Sequence, residues 1–352
     1  MYTRLLLVVF LFITMLLPGF APAQNWQTGI IQGTVTDSLT GHTLENTNVY
    51  LASTSLGTST DATGSYVLKG VPIGTHQLVF SRVGSFPRVL TIHMDRPEAL
   101  RQDVQLHMRS IELRDIEVTG EKEREWGIHL REFKLAFLGE TRNAEQSKLI
   151  NPEVVTFRFN DKDNSLSAST ESPLVFDNNG LGFRVTVEIV DFHWDVKQGF
   201  GYYLTYPYFQ DLRPSTSADS SKWMDSRRKA YVGSLQHFLK ALYNCTLAGE
   251  GFFVFRCQNQ DAERERGKYI SPEDLNLAQD RTTSAKRWTF DGWLRVDHHG
   301  PEGRVSSFIH LIEPEAIIEP SGILRNPLAA KVLGHWRDAR MADMLPTNAA
   351  LK

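Results

Sequence analysis

The hydrophobic spacing changes along the chain, and each change predicts a different kind of structure. Leu5 to Leu17 is an apolar run broken by Thr14 alone, and Pro18 and Gly19 end it. From about residue 28 to 118 the pattern is short runs of period two separated by turn residues. Ile30 to Thr36 is the first run, followed by the turn Asp37-Ser38-Leu39-Thr40-Gly41. Val49 and Leu51 alternate, Asp61-Ala62-Thr63-Gly64 turns the chain, and Tyr66 and Leu68 return to the core side. Val71-Pro72-Ile73-Gly74 is a loop before Leu78 and Phe80, then Leu90, Ile92 and Met94, then Val104, Leu106 and Met108. Short strands at this regular spacing predict an all-β sandwich.

From 121 to 260 the pattern becomes mixed α and β. Trp126, Leu130, Phe133 and Phe137 recur at helical spacing and predict an amphipathic helix over 122–138. Asn143 is the expected cap of a second helix that runs to Ile150 and is stopped by Pro152. Val154 to Phe159 and Ser165 to Ser172 are expected to form a hairpin around Asp161-Lys162-Asp163-Asn164. Leu181, Phe183, Val185, Val187 and Ile189 share one phase, after which Val190, Phe192, Trp194 and Val196 take over. A one-residue slip in a period-two pattern predicts a bulge or bend. Gly199 to Phe209 is the next strand, and Leu235, Phe238, Leu239, Leu242 and Tyr243 predict a helix capped by Ser234. Phe252 to Phe255 is a short buried strand. Residues 261–286 are polar and read as a linker, before strands at 288–296, 306–312 and 316–318 and a weakly patterned tail. The expected architecture is therefore multidomain: a β-sandwich at 28–118, an α+β domain at 121–260 of uncertain fold, and a charged linker with a β-rich segment and tail at 261–352.

The leading apolar run carries an address. Arg4 precedes it and Ala21-Pro22-Ala23 is a small-x-small cleavage site before Gln24. Residues 1–23 thus read as a secretory signal rather than a spanning helix, which needs about 20 apolar residues. No later stretch is long and apolar enough to span, so no membrane span is expected after cleavage. The expected location is the periplasm, the outer membrane or the cell surface. Across all 352 residues, 38 Lys and Arg stand against 41 Asp and Glu, a formal charge of -3. That balance excludes the basic surplus of a nucleic-acid binder. Two cysteines cannot staple a small scaffold. An oxidising compartment leaves either a Cys245–Cys257 disulfide or two buried thiols.

A resemblance attaches to particular residues. Gly33-Thr34-Val35-Thr36-Asp37, Thr40-Gly41, Asn48-Val49-Tyr50-Leu51, Gly57-Thr58, Thr60-Asp61, Gly64-Ser65-Tyr66 and Val71-Pro72-Ile73-Gly74 resemble the carboxypeptidase-regulatory-like domain. The resemblance implies a transthyretin-like sandwich of about seven strands. Thr43 stands where that family commonly has Pro, and Gly84-Ser85 where it has a closing Gly-Tyr. In metallocarboxypeptidases such a sandwich comes after a zinc-binding catalytic domain, whereas here the leader precedes it. The segment Ile111 to Gly120 resembles the stretch after the sandwich in TonB-dependent transporters. Roughly 230 remaining residues with helical and charged stretches do not suit a barrel of strands about 9–11 residues long. Gly334 to Pro346 resembles the end of uncharacterised exported proteins that begin with this sandwich, of the kind found in Bacteroidetes envelopes.

Candidate chemistry is sparse. His129 and Glu132 share a helical face with the spacing of a zinc pair, for which His237 or His298 could supply a third ligand. Asp297-His298-His299 with His310 is a second cluster, but adjacent histidines on a strand face opposite ways. Asp161, Asp163 and Ser165 begin like a calcium loop, yet Leu166 and Ser172 stand where that loop needs Gly and Glu. These read as an exposed helix, a polar strand end and a hairpin turn. No phosphate loop, nucleophile elbow or dinucleotide fingerprint is present in the sequence. Trp194, Tyr202, Tyr203, Tyr206 and Tyr208 are either sheet residues or an aromatic binding surface. The basic run Arg227-Arg228-Lys229 reads as solvated. No catalytic residue, metal site or cofactor is expected. The expected function is a non-catalytic envelope protein whose sandwich is an interaction or spacing module, with an envelope protein as partner. The alternative is a glycan-binding protein or a hydrolase whose site the sequence hides.

Overall fold

The computed structural model describes residues 28–109, 120–257, 267–301 and 303–349. The leader and most of the transporter-like segment 111–120 lie outside the described residues.

The first body is a β-sandwich. Its strands are β1 (Thr28–Asp37), β2 (Asn48–Leu51), β3 (Gly57–Ser59), β4 (Ser65–Pro72), β5 (Gly74–Ser81), β6 (Arg88–Met94), β7 (Ala99–Arg101) and β8 (Val104–Leu106). One sheet runs β4-β1-β7 with β8 also on β1, and the other runs β3-β2-β5-β6. Ile31, Val35, Val49, Leu51, Leu68, Leu78 and Phe80 meet between them, as the period-two pattern predicts.

The middle body is one six-stranded sheet backed by helix. It contains α1 (Gly120–Leu138), α2 (Arg142–Glu145), β9 (Ser147–Leu149), β10 (Val155–Asn160), β11 (Ser165–Thr170), β12 (Leu174–Asn178), β13 (Phe183–Asp195), β14 (Phe200–Asp211) and α3 (Ser217–Tyr231). Phe133 and Phe137 of α1 are buried among Phe176, Phe183, Phe192 and Phe209 of the sheet. The expected slip in β13 is a bulge: Ile189 pairs with Thr205 and Asp191 with Leu204. Val190 is the bulged residue and is exposed rather than turned into the core with Phe192. The second helix differs from expectation. Thr141, not Asn143, caps it through a bond from the Ala144 N–H, and it stops at Glu145 because Ser147–Leu149 pairs with β12. Helix α3 carries no apolar stripe for periodicity to detect. It is started by a capping box in which Thr216 and Asp219 satisfy one another's N–H groups.

The third body packs α4 (Leu235–Tyr243) against β15 (Phe252–Cys257), β16 (Lys268–Ile270), β17 (Leu277–Gln279), β18 (Lys286–Trp288), β19 (Trp293–Gly300), β20 (Gly303–Leu311), β21 (Ala316–Ile318), β22 (Ala330–Gly334) and α5 (His335–Asp338). Its main sheet runs β16-β15-β19-β20-β22, with a small second sheet β17-β18-β21. Thus α4 and β15 share a core with residues 288–336, centred on Phe238, Trp288 and Trp336. The polar stretch read as a linker contains β16, β17 and the first residue of β18.

The tail joins the bodies. Trp336 is buried in the third core and donates its indole N–H to Gly233 O at 2.8 Å. Met341, Ala342 and Leu345 are buried in the middle core. Arg340 lies 4.6 Å over Trp194 and donates to Ala136 O at 2.6 Å. The Thr347 N–H then reaches Ser53 O of the sandwich at 2.8 Å. Replacing a buried Trp by Ala removes about 3–5 kcal/mol. Trp336→Ala should therefore lower the unfolding free energy by about that amount in urea titration, while Leu39→Ala, on a side chain 80% exposed, should change it by less than about 0.5 kcal/mol. Equal effects of the two would contradict the bridging role of the tail.

Candidate functional site

The aromatic strand β14 divides its side chains between two faces. Tyr203 and Trp194 face the middle core. Trp194 is 8% exposed, and the Tyr203 ring packs 5.4 Å from Phe137. Burial pushes the Tyr203 hydroxyl up to about 12. Tyr206 and Tyr208 face the other way and are half-buried, with the Tyr208 ring and the Tyr206 carbonyl against the sandwich. Tyr50 stacks on Tyr208 at 5.0 Å with 27° between the rings, and its hydroxyl donates to Tyr206 O at 3.1 Å. The Ser53 N–H donates to Pro207 O at 2.7 Å and the Phe209 N–H to Thr54 O at 3.0 Å. Gly57 is required by this contact, since a Cβ there would stand 2.6 Å from the Tyr208 ring. Tyr202 alone of the five is exposed, at 45%, stacked on His193 at 5.7 Å beside exposed Phe200. The five aromatics therefore form a core contact, a docking face and one exposed ring.

The docking face also holds a buried acid. Glu188 on β13 accepts a hydrogen bond from the Ser81 hydroxyl. Burial raises its pKa, against the lowering influence of Ser81 and Arg109. Farther along β5, Glu319 pairs with Arg325 at 2.7 Å, and Arg325 reaches the Thr75 hydroxyl at 3.1 Å. Strands β2 and β5 at the centre of sheet β3-β2-β5-β6 are consequently buried on both faces. Tyr50 and Val79, out of phase with the inward residues, are 1% and 0% exposed. The signal for this was present: apolar residues at both phases of β2 and β5 mark strands buried on both faces.

The histidines separate into three places. His129 lies 3.7 Å from Glu125 rather than joined to Glu132, and its ring stacks on Phe159 at 5.3 Å. His310 stacks on Trp293 and bonds Gly292 O. Asp297 is held by Arg304 at 2.8 Å and Ser306 at 2.7 Å. His299 lies against Phe253, while His298 turns inward onto Phe252 and meets His237, ring to ring at 5.6 Å. Asp163 accepts from Ser165 as a plain hairpin turn. Among the described residues no group of three His, Cys, Asp or Glu is arranged to hold a metal ion.

The His237–His298 pair lines a cleft of 470 Å³ with Glu250, His299, Gly251 and Gly300. Glu250 was not singled out by any motif. The Gly233 N–H donates to His237 Nδ1 at 3.1 Å, which leaves Nε2–H to donate to Glu250 at 2.7 Å. A general base needs a lone pair open to substrate. That of His237 is occupied by Gly233. Cys245, at positive φ after α4, is exposed, and Cys257 at the far end of β15 is buried; they are not joined. The six-residue strand between Phe252 and Cys257 carries the second sulfur away from the first. Arg227 also departs from its solvated reading. It donates to Leu181 O at 2.7 Å and Asp211 at 2.8 Å and lies 3.8 Å over Phe183.

Burial holds His237 and His298 below the usual 6.5, for His298 with the proximity of His237 added, although bonds to Glu250 oppose this. The unfolded chain takes up protons near 6.5 that the folded chain resists. The contribution is therefore full above that pH and is lost as pH falls through and below it. Unfolding free energy should drop between pH 7.5 and pH 5, and His298→Gln should flatten the drop. An identical pH profile for the variant would contradict the assignment.

No curated protein matches this chain. Solved structures match with low TM-scores. The major pilin subunit of Bacillus cereus is 14% identical over 23% of this chain and 30% of its own, with a TM-score of 0.20. A candidate carbohydrate-binding protein of Bacteroides uniformis is 8% identical over 83% of this chain and 98% of its own, again at 0.20. A Bacteroides fragilis protein of unknown function is 12% identical over 87% and 97%, also at 0.20. The chain spans less than half the length of the pilins it matches. At these TM-scores the likeness assigns nothing to this chain. The family match is local and specific: residues 31–118 are a CarboxypepD_reg-like domain.

Proposed function

We propose that this chain is a non-catalytic exported protein of the cell envelope whose sandwich is an interaction module docked on the middle body. The observation that supports this most is the docking itself. Sheet β3-β2-β5-β6 is occupied internally through Tyr50, Ser81 and Thr75. The opposite sheet, with Gln32 paired to half-exposed Val67, is left as the face for an envelope protein. A docked module is a fixed mount rather than a swinging spacer. The carboxylate–imidazole pair at Glu250 and His237 supports the non-catalytic reading, because its lone pair is engaged by backbone.

The test is crosslinking in intact cells, capture of the tagged protein and mass spectrometry of its companions. The captured chain should begin at Gln24, and one envelope protein should accompany it reproducibly and be lost with Val67→Glu. Capture with no companion, together with polysaccharide binding abolished by Tyr202→Ala, would replace this reading with the glycan one. In that alternative Phe200 and Tyr202 carry the surface, since Trp194 and Tyr203 lie against the core and Tyr206 and Tyr208 against the sandwich.

A further inference from the structure

One end of the sandwich gathers its most exposed apolar side chains. The Ser38 N–H donates to Leu106 O at 2.9 Å, and its hydroxyl meets His107 Nδ1 at 2.7 Å. The Phe86 N–H donates to His107 O at 2.9 Å and the Arg109 N–H to Gly84 O at 2.8 Å. The β1–β2 turn, the β5–β6 loop and the segment after β8 are thereby tied into one surface. On it Leu39 is 80% exposed, Val83 78% and Phe86 56%. Of the large hydrophobics among the described residues, Ile312 alone falls within that range, at 65%. Single exposed apolar residues need no explanation, but three on adjoining loops of one end do.

Three arginines stand around them. Arg82 and Arg88 bracket the loop that carries Val83 and Phe86. The Arg109 guanidinium lies 4.7 Å over the Phe86 ring. Three acids stand near, of which Glu188 is buried and faces Arg109. Asp37 is engaged with the N–H groups of Leu39 and Thr40 in its own turn, and Glu45 offers its backbone carbonyl to Arg82. A chain of net charge -3 thus sets arginines around apolar loop tips. Leu39 and Val83 stand nearly clear of their neighbours, so they do not merge into a flat patch for another protein to cover. Loop tips of this kind suit a surface whose apolar layer begins a few ångströms beneath an anionic one, with arginine on the phosphates.

We propose that this end of the sandwich docks peripherally on an anionic lipid bilayer. This deepens the envelope reading, and rests on it for the membrane that is met. The experiment is co-sedimentation of the mature chain, from Gln24 onward, with vesicles of phosphatidylglycerol mixed with phosphatidylcholine, and with phosphatidylcholine alone. The mature chain should pellet with the anionic vesicles at least tenfold better than with the zwitterionic ones, and less as salt rises. Leu39→Ser/Val83→Ser/Phe86→Ser should reduce partitioning at least tenfold. Arg88→Gln should reduce it about fivefold, the effect of one basic residue at an anionic surface. Unchanged thermal midpoints would show that both variants remain folded. Failure of the mature chain to pellet, or equal pelleting of the triple variant, would overturn the proposal. So would vesicle-inert loops whose substitution instead abolishes capture of an envelope protein. Vesicle binding by a chain that cells do not export would leave the inference standing and remove the envelope reading.

Discussion

A sheet whose two faces are both apolar cannot stop at one core. That constraint organises this molecule. In β2 and β5 the inward residues Val49, Leu51, Leu78 and Phe80 fill the sandwich. Tyr50, Val79 and Ser81, between them, are left with a face of their own that is also buried. The outer face of β13 and β14 covers it with Tyr206, Tyr208 and Glu188. An aromatic pair in this offset arrangement contributes about 0.5–1.5 kcal/mol beyond area burial. The backbone bonds at Ser53 and Phe209 then set its register. Ser53 holds a positive φ of 60°, a conformation disfavoured for a side chain and maintained by bonds from both sides. The buried Glu188 opposes docking while charged, and its raised pKa is the sign of that cost.

The tail closes what the docking begins. Trp336 belongs to one core and Met341 to the next, five positions later. Thr347 and Asn348 then bond Ser53 and Ser55 at the tip that also meets β14. Asp343 ties the same segment to the first turn of α2 through Thr141 and Asn143, each at 2.8 Å. Three cores are thereby coupled by one stretch of chain that has little regular structure of its own.

Much of the sandwich was legible because its inward positions follow period two and its turns carry Gly, Asp and Pro at the required places. The bulge at Val190 was legible for the same reason, as a phase slip, and the helix at 235–243 as an apolar stripe behind Ser234. Helix α3 was hidden because its stability comes from the Thr216 cap and from Arg227 and Trp223 bonding backbone carbonyls, which leave no periodic trace. The assembly of α4 and β15 with β19 was hidden because pairing across the intervening residues is a non-local choice. The aromatic run of β14 was visible as composition. Which rings face core, sandwich or water depends on a neighbouring body that no local pattern announces. The His237–Glu250 contact joins a helix to a glycine-flanked loop and has no motif at all.

The sandwich is a fixed part of the fold, seated on β14. Amide hydrogen exchange measures it most directly, at the Ser53 and Phe209 N–H groups that bond across the contact. Both should exchange as slowly as Leu51 and Phe80 within the adjoining strands. Rapid exchange at Ser53 and Phe209 while Leu51 and Phe80 remain protected would show a tethered sandwich that swings free, and would contradict it.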